Sequence, residues 1–103
     1  MTLAVGQTVA VPDTSLSLRF TGVPNDSRCP ADVLCIQLGE AVVALEALRG
    51  SSTTQLQLRT TEVGRMADVA NYRIVLSALL PYPYSHHPID IADYRVTVRV
   101  ETR

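Results

Sequence analysis

Residues 94–101 read Tyr-Arg-Val-Thr-Val-Arg-Val-Glu, the clearest strand pattern in the sequence. An apolar or aromatic side chain stands at every second position, and three of these four are valine, a residue enriched in strands. Because side chains alternate between the two faces of a β-strand, one face here is apolar and the other is polar or charged. The pattern predicts a strand that rests one face on a hydrophobic core.

Four other segments carry strand patterns. Residues 16–20 alternate leucine and phenylalanine with serine and arginine, which predicts a second half-buried strand. Residues 72–79 read Tyr-Arg-Ile-Val-Leu-Ser-Ala-Leu and fit a more deeply buried strand. Shorter strands are predicted at residues 55–59, where leucines alternate with polar residues, and at residues 8–11, which end before Pro12.

Residues 40–49, Glu-Ala-Val-Val-Ala-Leu-Glu-Ala-Leu-Arg, fit two structures. They are good helix formers between Gly39 and Gly50, which favours a short helix. The alternation of apolar side chains also fits a strand, and an isolated helix of this length among strands would need a surface to dock on. The residues alone leave both structures open.

Turn-forming residues separate these segments at positions 12–13, 23–26, 49–52 and 81–88. This spacing predicts about six or seven antiparallel strands in two packed sheets. No internal repeat, linker or low-complexity tract divides the chain. We therefore predict one domain over residues 1–103, an all-β, immunoglobulin-like β-sandwich.

The charge balance argues against several classes of function. The 103 residues include nine basic and ten acidic side chains, for a formal net charge of −1, and no basic run occurs. This excludes the usual electrostatic footprint of a protein that binds nucleic acid or an anionic membrane surface. No apolar run approaches the roughly 18 residues of a transmembrane helix. Residues 1–6 do not form a secretory signal, so either the protein is cytosolic or a leader is removed from its natural precursor.

Cys29 and Cys35 close a seven-residue segment of a loop rich in turn-forming residues. A disulfide is favoured, and it would stabilise the domain by roughly 2 to 2.5 kcal/mol on chain-entropy grounds. It would also indicate an oxidising compartment. Free buried thiols are the next alternative. A redox dithiol or a metal pair ranks last, because the Cys-x-x-Cys spacing is absent and a metal would need two more ligands.

Residues near the first cysteine are candidate ligand contacts. Arg28 has five N–H donors and can hold either its own loop or an anionic ligand, with Asp26 or Asp32 orienting it. Internal bonds are the favoured interpretation, because a short loop next to a disulfide has no core of its own to give it shape.

Tyr82 and Tyr84 stand in a second candidate loop, residues 81–88, which reads Pro-Tyr-Pro-Tyr-Ser-His-His-Pro. Tyrosines on a stiff loop provide contact area for a partner protein or a carbohydrate at low entropic cost. The plainer alternative is favoured: one tyrosine packs over the end of the sandwich while the prolines prevent edge pairing.

His86 and His87, with Asp90 and Asp93 close by, are weak metal candidates. Their donor types suit zinc or copper, but adjacent residues in an extended chain point to opposite sides and do not easily share one ion. We predict no metal and no other cofactor. Motifs for nucleophilic catalysis or phosphate binding, such as Gly-x-Ser-x-Gly or a glycine-rich loop, are also absent from the sequence.

Residues 26–35 read Asp-Ser-Arg-Cys-Pro-Ala-Asp-Val-Leu-Cys and are followed by Gly39-Glu40-Ala41. This pattern resembles a family of small bacterial secreted proteins and lipoproteins, and the resemblance extends over most of the chain. It implies a signal peptide or lipobox in the precursor, a bridge between Cys29 and Cys35, and a strand over residues 41–48. Gln37 stands where the family commonly has a tryptophan. The resemblance brings no activity with it.

The expected function is that of a binding module without enzymatic activity. We expect a periplasmic or extracellular domain whose end loops contact a partner protein or a component of the cell envelope. Two alternatives are a metal-handling envelope protein that uses the histidines of residues 86–93 and a small protease inhibitor that inserts residues 81–88 into an active site.

Overall fold

The computed structural model of the protein describes residues 1–37, 39–62 and 64–102. In this part of the chain eight strands and one short 3-10 helix follow one another. Their bounds are β1 (Thr2–Ala4), β2 (Thr8–Ala10), β3 (Leu16–Asp26), β4 (Ala41–Arg49), β5 (Ser52–Arg59), β6 (Met66–Val69), β7 (Tyr72–Leu80), η1 (Ile91–Asp93) and β8 (Arg95–Thr102).

The strands form two antiparallel sheets of four strands each, in the orders β1-β8-β7-β6 and β2-β3-β4-β5. The first two strands lie in different sheets: β1 pairs with β8, and β2 pairs with β3. The predicted all-β sandwich is therefore confirmed. The sequence patterns missed the short edge strands β1 and β6, so the count is eight where six or seven were predicted.

Strand order within the sheets follows the chain, apart from the pairing of β1 with β8. Strands β3, β4 and β5 form one meander, and β6, β7 and β8 form the other. Immunoglobulin domains instead use Greek-key connections, which place strands distant in sequence side by side. The observed order supports the sandwich and adds no support to the immunoglobulin-like part of the prediction.

The ambiguous segment forms strand β4, which pairs with β3 on one side and with β5 on the other. Ala41, Val43, Leu45 and Ala47 are at most 1% exposed, so the alternating face of the strand pattern is the one that is buried. Strong helix propensity is overridden here because hydrogen bonds to two neighbouring strands and burial in the core both favour the extended chain.

The turn predicted at residues 23–26 is wrong, because β3 continues through Asp26. Register shifts occur between Phe20 and Gly22 and between Gly22 and Asn25, so β3 bulges twice against β4. A bulge accommodates Pro24, which has no N–H to donate to a regular ladder. The turn-forming residues therefore bend a strand without ending it.

The core between the sheets is apolar throughout. No polar or charged residue is buried among the residues that the structure describes. Within the same residues no helix is long and apolar enough to span a membrane. The largest fully buried side chains are Phe20, Leu3, Leu16, Leu18, Leu45, Leu58, Ile74, Leu76, Val43, Val96 and Val98.

Candidate functional site

Two loops meet at one end of the sandwich, which we call the loop end. The disulfide loop, residues 27–40, connects β3 to β4, and the tyrosine loop, residues 81–90, follows β7. Because each pair of strands is antiparallel, each loop leaves and re-enters the sandwich at the same end. The two segments singled out in the sequence thus lie together, although about 50 residues separate them along the chain.

The side chain of Arg28 forms a nearly buried ion pair with Asp26. Its Nε donates to Oδ1 and its Nη2 donates to Oδ2, both at 2.8 Å. The two side chains are only 9% and 13% exposed. Two parallel hydrogen bonds of this kind fix the plane of the guanidinium as well as its position.

Arg28 also joins its loop to the other sheet. Its Nη1 donates to the carbonyl oxygen of Leu79 at 2.8 Å, and its Nη2 donates to that of Pro81 at 3.0 Å. The guanidinium carbon lies 5.9 Å from the centre of the Tyr82 ring, within the range of a cation–π contact. Four hydrogen bonds thus occupy the guanidinium within the protein, so the anion that Arg28 binds in this structure is the carboxylate of Asp26.

Tyr94, the residue between η1 and β8, completes this cluster. Its hydroxyl donates to Oδ2 of Asp26 at 2.7 Å. Burial alone would raise the pKa of Asp26, but the hydrogen bonds from Arg28 and Tyr94 and the charge of Arg28 outweigh it, so this pKa lies below its usual value. Burial and the hydrogen bond to Asp26 raise the pKa of Tyr94 to about 12. Asp26 is therefore ionised and Tyr94 neutral at ordinary pH.

The disulfide loop is closed by a disulfide bond and, at its base, by hydrogen bonds. Cys29 and Cys35 are joined by a disulfide bond. At its base, the N–H and the hydroxyl of Ser27 both donate to the carbonyl oxygen of Glu40 at 2.8 Å. Gly39 allows this closure, because its φ is +65° and a Cβ there would lie 1.9 Å from the carbonyl oxygen of Ser27.

Asp32 forms a second link between the loops. Its carboxylate accepts the N–H of Ser85 at 2.8 Å and also the hydroxyl of Ser85. These bonds lower the pKa of Asp32. One residue earlier, the N–H of Ala31 donates to the carbonyl oxygen of Pro83 at 2.8 Å. The tyrosine loop is thus attached to the disulfide loop at its middle and to the Arg28 side chain at its start.

Large apolar side chains are exposed on both loops. Leu34 and Ile36 of the disulfide loop are as accessible as in an extended chain, at 101% and 105%. Tyr82 and Tyr84 of the tyrosine loop are 60% and 54% exposed. Both predicted tyrosines are therefore accessible at the loop end, which also carries two exposed apolar residues that were not among the predicted contacts.

A groove of about 370 Å³ runs along the tyrosine loop, and its lining includes Tyr84, His86, His87 and Tyr94. Asp90 is used locally, because its carboxylate accepts the N–H of Ala92 at 3.0 Å and caps the helix η1. The fourth weak metal candidate, Asp93, is the last residue of that helix. Across residues 1–37, 39–62 and 64–102, no three His, Cys, Asp or Glu side chains come together as a metal site.

Sequence reasoning missed Tyr94 and Arg65 as members of the loop end. Tyr94 read only as the first apolar position of a strand, and nothing local shows that its hydroxyl reaches Asp26. Arg65 precedes β6, a strand that the patterns did not detect, and it lines a second cavity together with Arg28 and Tyr82. Both roles depend on contacts between residues distant in sequence.

No protein-family model matches the chain, and no curated protein or solved structure matches it either. The resemblance noted in the sequence thus stays a prediction.

Proposed function

We propose that the protein is a binding module without enzymatic activity, which contacts a partner protein or a component of the cell envelope through its loop end. One observation carries this proposal. Leu34, Ile36, Tyr82 and Tyr84 are exposed on two loops that hydrogen bonds tie to each other and to the sandwich, and a disulfide closes one of these loops.

Exposed apolar side chains at one site are typical of surfaces that bind another molecule. Loops normally lose conformational entropy when they bind, and this loss weakens binding. Here the links from Arg28 and Asp32 hold both loops before any partner arrives. Tyr82 and Tyr84 add broad, rigid contact area with few torsion angles to fix. These features suit recognition of a preformed surface.

The disulfide supports an oxidising compartment, so the proposed location is the periplasm or the cell exterior. A precursor with a signal peptide or lipobox would deliver the chain there. The proposed location and partner agree, since an envelope component would be met in the same compartment.

Binding from an envelope extract of the source cells tests the proposal. The wild-type protein, a Tyr82→Ala/Tyr84→Ala variant and a Met66→Ser control would be immobilised and compared. Met66 is 54% exposed but lies on β6, outside both loops. We expect a component that the wild type and the control retain and that the tyrosine variant loses. A component retained equally by all three proteins would contradict the proposal.

A panel of secreted proteases tests the more specific version, in which the tyrosine loop enters an active site. Inhibition by the wild type that is lost on Tyr82→Ala/Tyr84→Ala substitution would identify an inhibitor. No inhibition of any protease at micromolar protein would end that version and leave the binding module standing.

A further inference from the structure

A small cleft lies beside the Arg28 cluster, where the chain passes from β5 to β6. We call it the arginine cleft; Arg28, Thr60, Arg65, Ser77, Leu79 and Tyr82 are among its lining residues. Its volume is about 120 Å³. Because one water needs only about 10–15 Å³ by this kind of measure, the cleft can hold several waters or one small polar group.

Arg65 has a buried donor for which the described part of the chain provides no acceptor. Its Nη2 donates to the carbonyl oxygen of Thr60, which holds the end of the side chain in place. Its Nε is buried and has no hydrogen-bond partner among the described residues. A buried N–H without an acceptor is unfavourable, and an unseen water or ion is one of the explanations for such a group in native proteins.

The charge of Arg65 has no ion-pair partner among the residues that the structure describes. Asp26 and Glu40, two carboxylates at this end, already accept hydrogen bonds from Arg28 and Arg59. The pair of Arg28 with Asp26 is neutral as a unit, so Arg65 gives the cleft a net positive charge.

A β-bulge lies beside the same cleft. Strand β7 bulges between Leu76 and Ala78, so Ser77 is an extra residue with no partner in β8. Bulges of this kind redirect side chains and are common beside binding sites. Ser77 lines the cleft together with Thr60, which adds hydroxyl groups able to donate to an anion.

We propose that the arginine cleft binds a small oxyanion, a carboxylate or a phosphate group, which accepts hydrogen bonds from the guanidinium of Arg65. Both groups present oxygens that match the planar donor array of a guanidinium. The proposal goes beyond the partner contact described above, because the cleft would bind a free oxyanion whether or not the exposed tyrosines have a partner. No chemical step is involved.

Nuclear magnetic resonance tests the proposal on the intact, oxidised protein. The Nε–H signal of Arg65 would be followed while sodium phosphate or sodium acetate is added at constant ionic strength, with sodium chloride as balance. We expect this signal and the amide signals of Ser77 and Leu79 to move along one saturable curve. Acetate acting more strongly than phosphate would assign a carboxylate ligand, and the reverse order would assign a phosphate.

Two variants give the matched comparison. Arg65→Gln removes the donor, and we expect it to weaken binding at least about tenfold, the effect of one hydrogen bond to a charged group. Arg49→Gln removes the same charge from an exposed position at the β4–β5 turn, away from the cleft, and should leave the affinity unchanged. Arg65→Lys keeps the charge but loses the planar donors, so we expect it to bind more weakly than the wild type.

Three results would overturn the proposal. They are an Nε–H signal that neither anion moves, binding without saturation, and equal loss of affinity in the Arg65→Gln and Arg49→Gln proteins, which would indicate general charge screening. The wild-type titration decides even where the glutamine variant is unfolded, because it observes Arg65 itself. If the envelope extract yields no partner but the anion titration still saturates, the result counts against the proposed function of the loop end and leaves the anion site standing.

Discussion

The sandwich interior and the loop end are held together by different forces. The interior is apolar: among the residues that the structure describes, no polar or charged residue is buried. The loop end is shaped by an ion pair, by hydrogen bonds to backbone carbonyls and by a disulfide. Apolar burial fixes the strands in the first region, whereas directional bonds fix the backbone in the second.

This difference separates stability from recognition. Apolar contacts are not directional, so they tolerate small shifts of the groups that form them. The bonds of Arg28 specify particular atoms of Leu79 and Pro81 and hold the tyrosine loop in one position. A loop fixed by polar bonds can leave its apolar side chains, such as Leu34 and Tyr82, free to contact another molecule.

The largest loss of stability is expected in the interior. Phe20 is completely buried between the sheets. Replacing it with alanine leaves a cavity and should lower the free energy of unfolding by about 3–5 kcal/mol. Urea denaturation followed by circular dichroism measures this loss. A loss smaller than that of the Arg28 substitution below would contradict the assignment of the interior as the main source of stability.

The Arg28→Ala substitution should lower the free energy of unfolding by about 3 kcal/mol, because the nearly buried carboxylate of Asp26 loses its ion-pair partner. Arg99→Ala is the matched control. Its ion pair with Glu101 is exposed, at 63% and 42% for the two side chains, and such pairs contribute at most about 1 kcal/mol. The same urea titration compares the two variants. Equal losses would show that the Arg28 pair is no more important than a surface pair.

The disulfide is expected to contribute less to the free energy of unfolding than the side chain of Phe20 or of Arg28. The Cys29→Ser/Cys35→Ser variant should lose about 2 kcal/mol, since the bridge closes a short loop and restricts the unfolded chain only modestly. Its sandwich should remain folded, and strand amide signals should keep their positions. General loss of the strand signals would mean that the loop end also supports the interior.

The smallest effect is a dependence of stability on alkaline pH. The pKa of Tyr94 is raised to about 12 in the folded protein, whereas the pKa of a tyrosine in an unfolded chain is about 10. Its contribution is therefore complete below pH 10 and is lost as the pH rises from about 10 toward about 12. The urea midpoints of the wild-type and Tyr94→Phe proteins should therefore converge as the pH is raised from 9 to about 11.5. A constant gap would contradict the Tyr94–Asp26 hydrogen bond.

The fold was largely predictable because its signals are local. Alternating side chains identified β3 and β8, which bury the apolar face that the pattern selects. The apolar run within residues 72–79 identified β7, where Ile74, Val75 and Leu76 are all buried. Edge strands β1 and β6 are three and four residues long, too short for a period to be visible. The turn predicted around Pro24 was wrong because a bulge absorbs the same residues.

The loop end was predictable only in part. Residue types around Arg28 indicated a loop held by its own side chains, and Arg28 does bond Asp26. Asp32 instead bonds the other loop, at Ser85. Which loop each residue reaches could not be read from the sequence. Arg28 contacts Pro81 and Asp32 contacts Ser85, each 53 positions away. Such pairings follow from strand order, and the composition of a loop carries no information about it.

Amide hydrogen exchange at Ala31 and Ser85 tests most directly the claim that the two loops form one preformed unit. Their N–H groups donate across the gap between the loops, to Pro83 and to Asp32. In the oxidised wild type we predict that both amides exchange more slowly than in an unstructured chain, and that Arg28→Gln accelerates both together. Exchange of both amides at unprotected rates in the wild type, with the strands still protected, would contradict the claim.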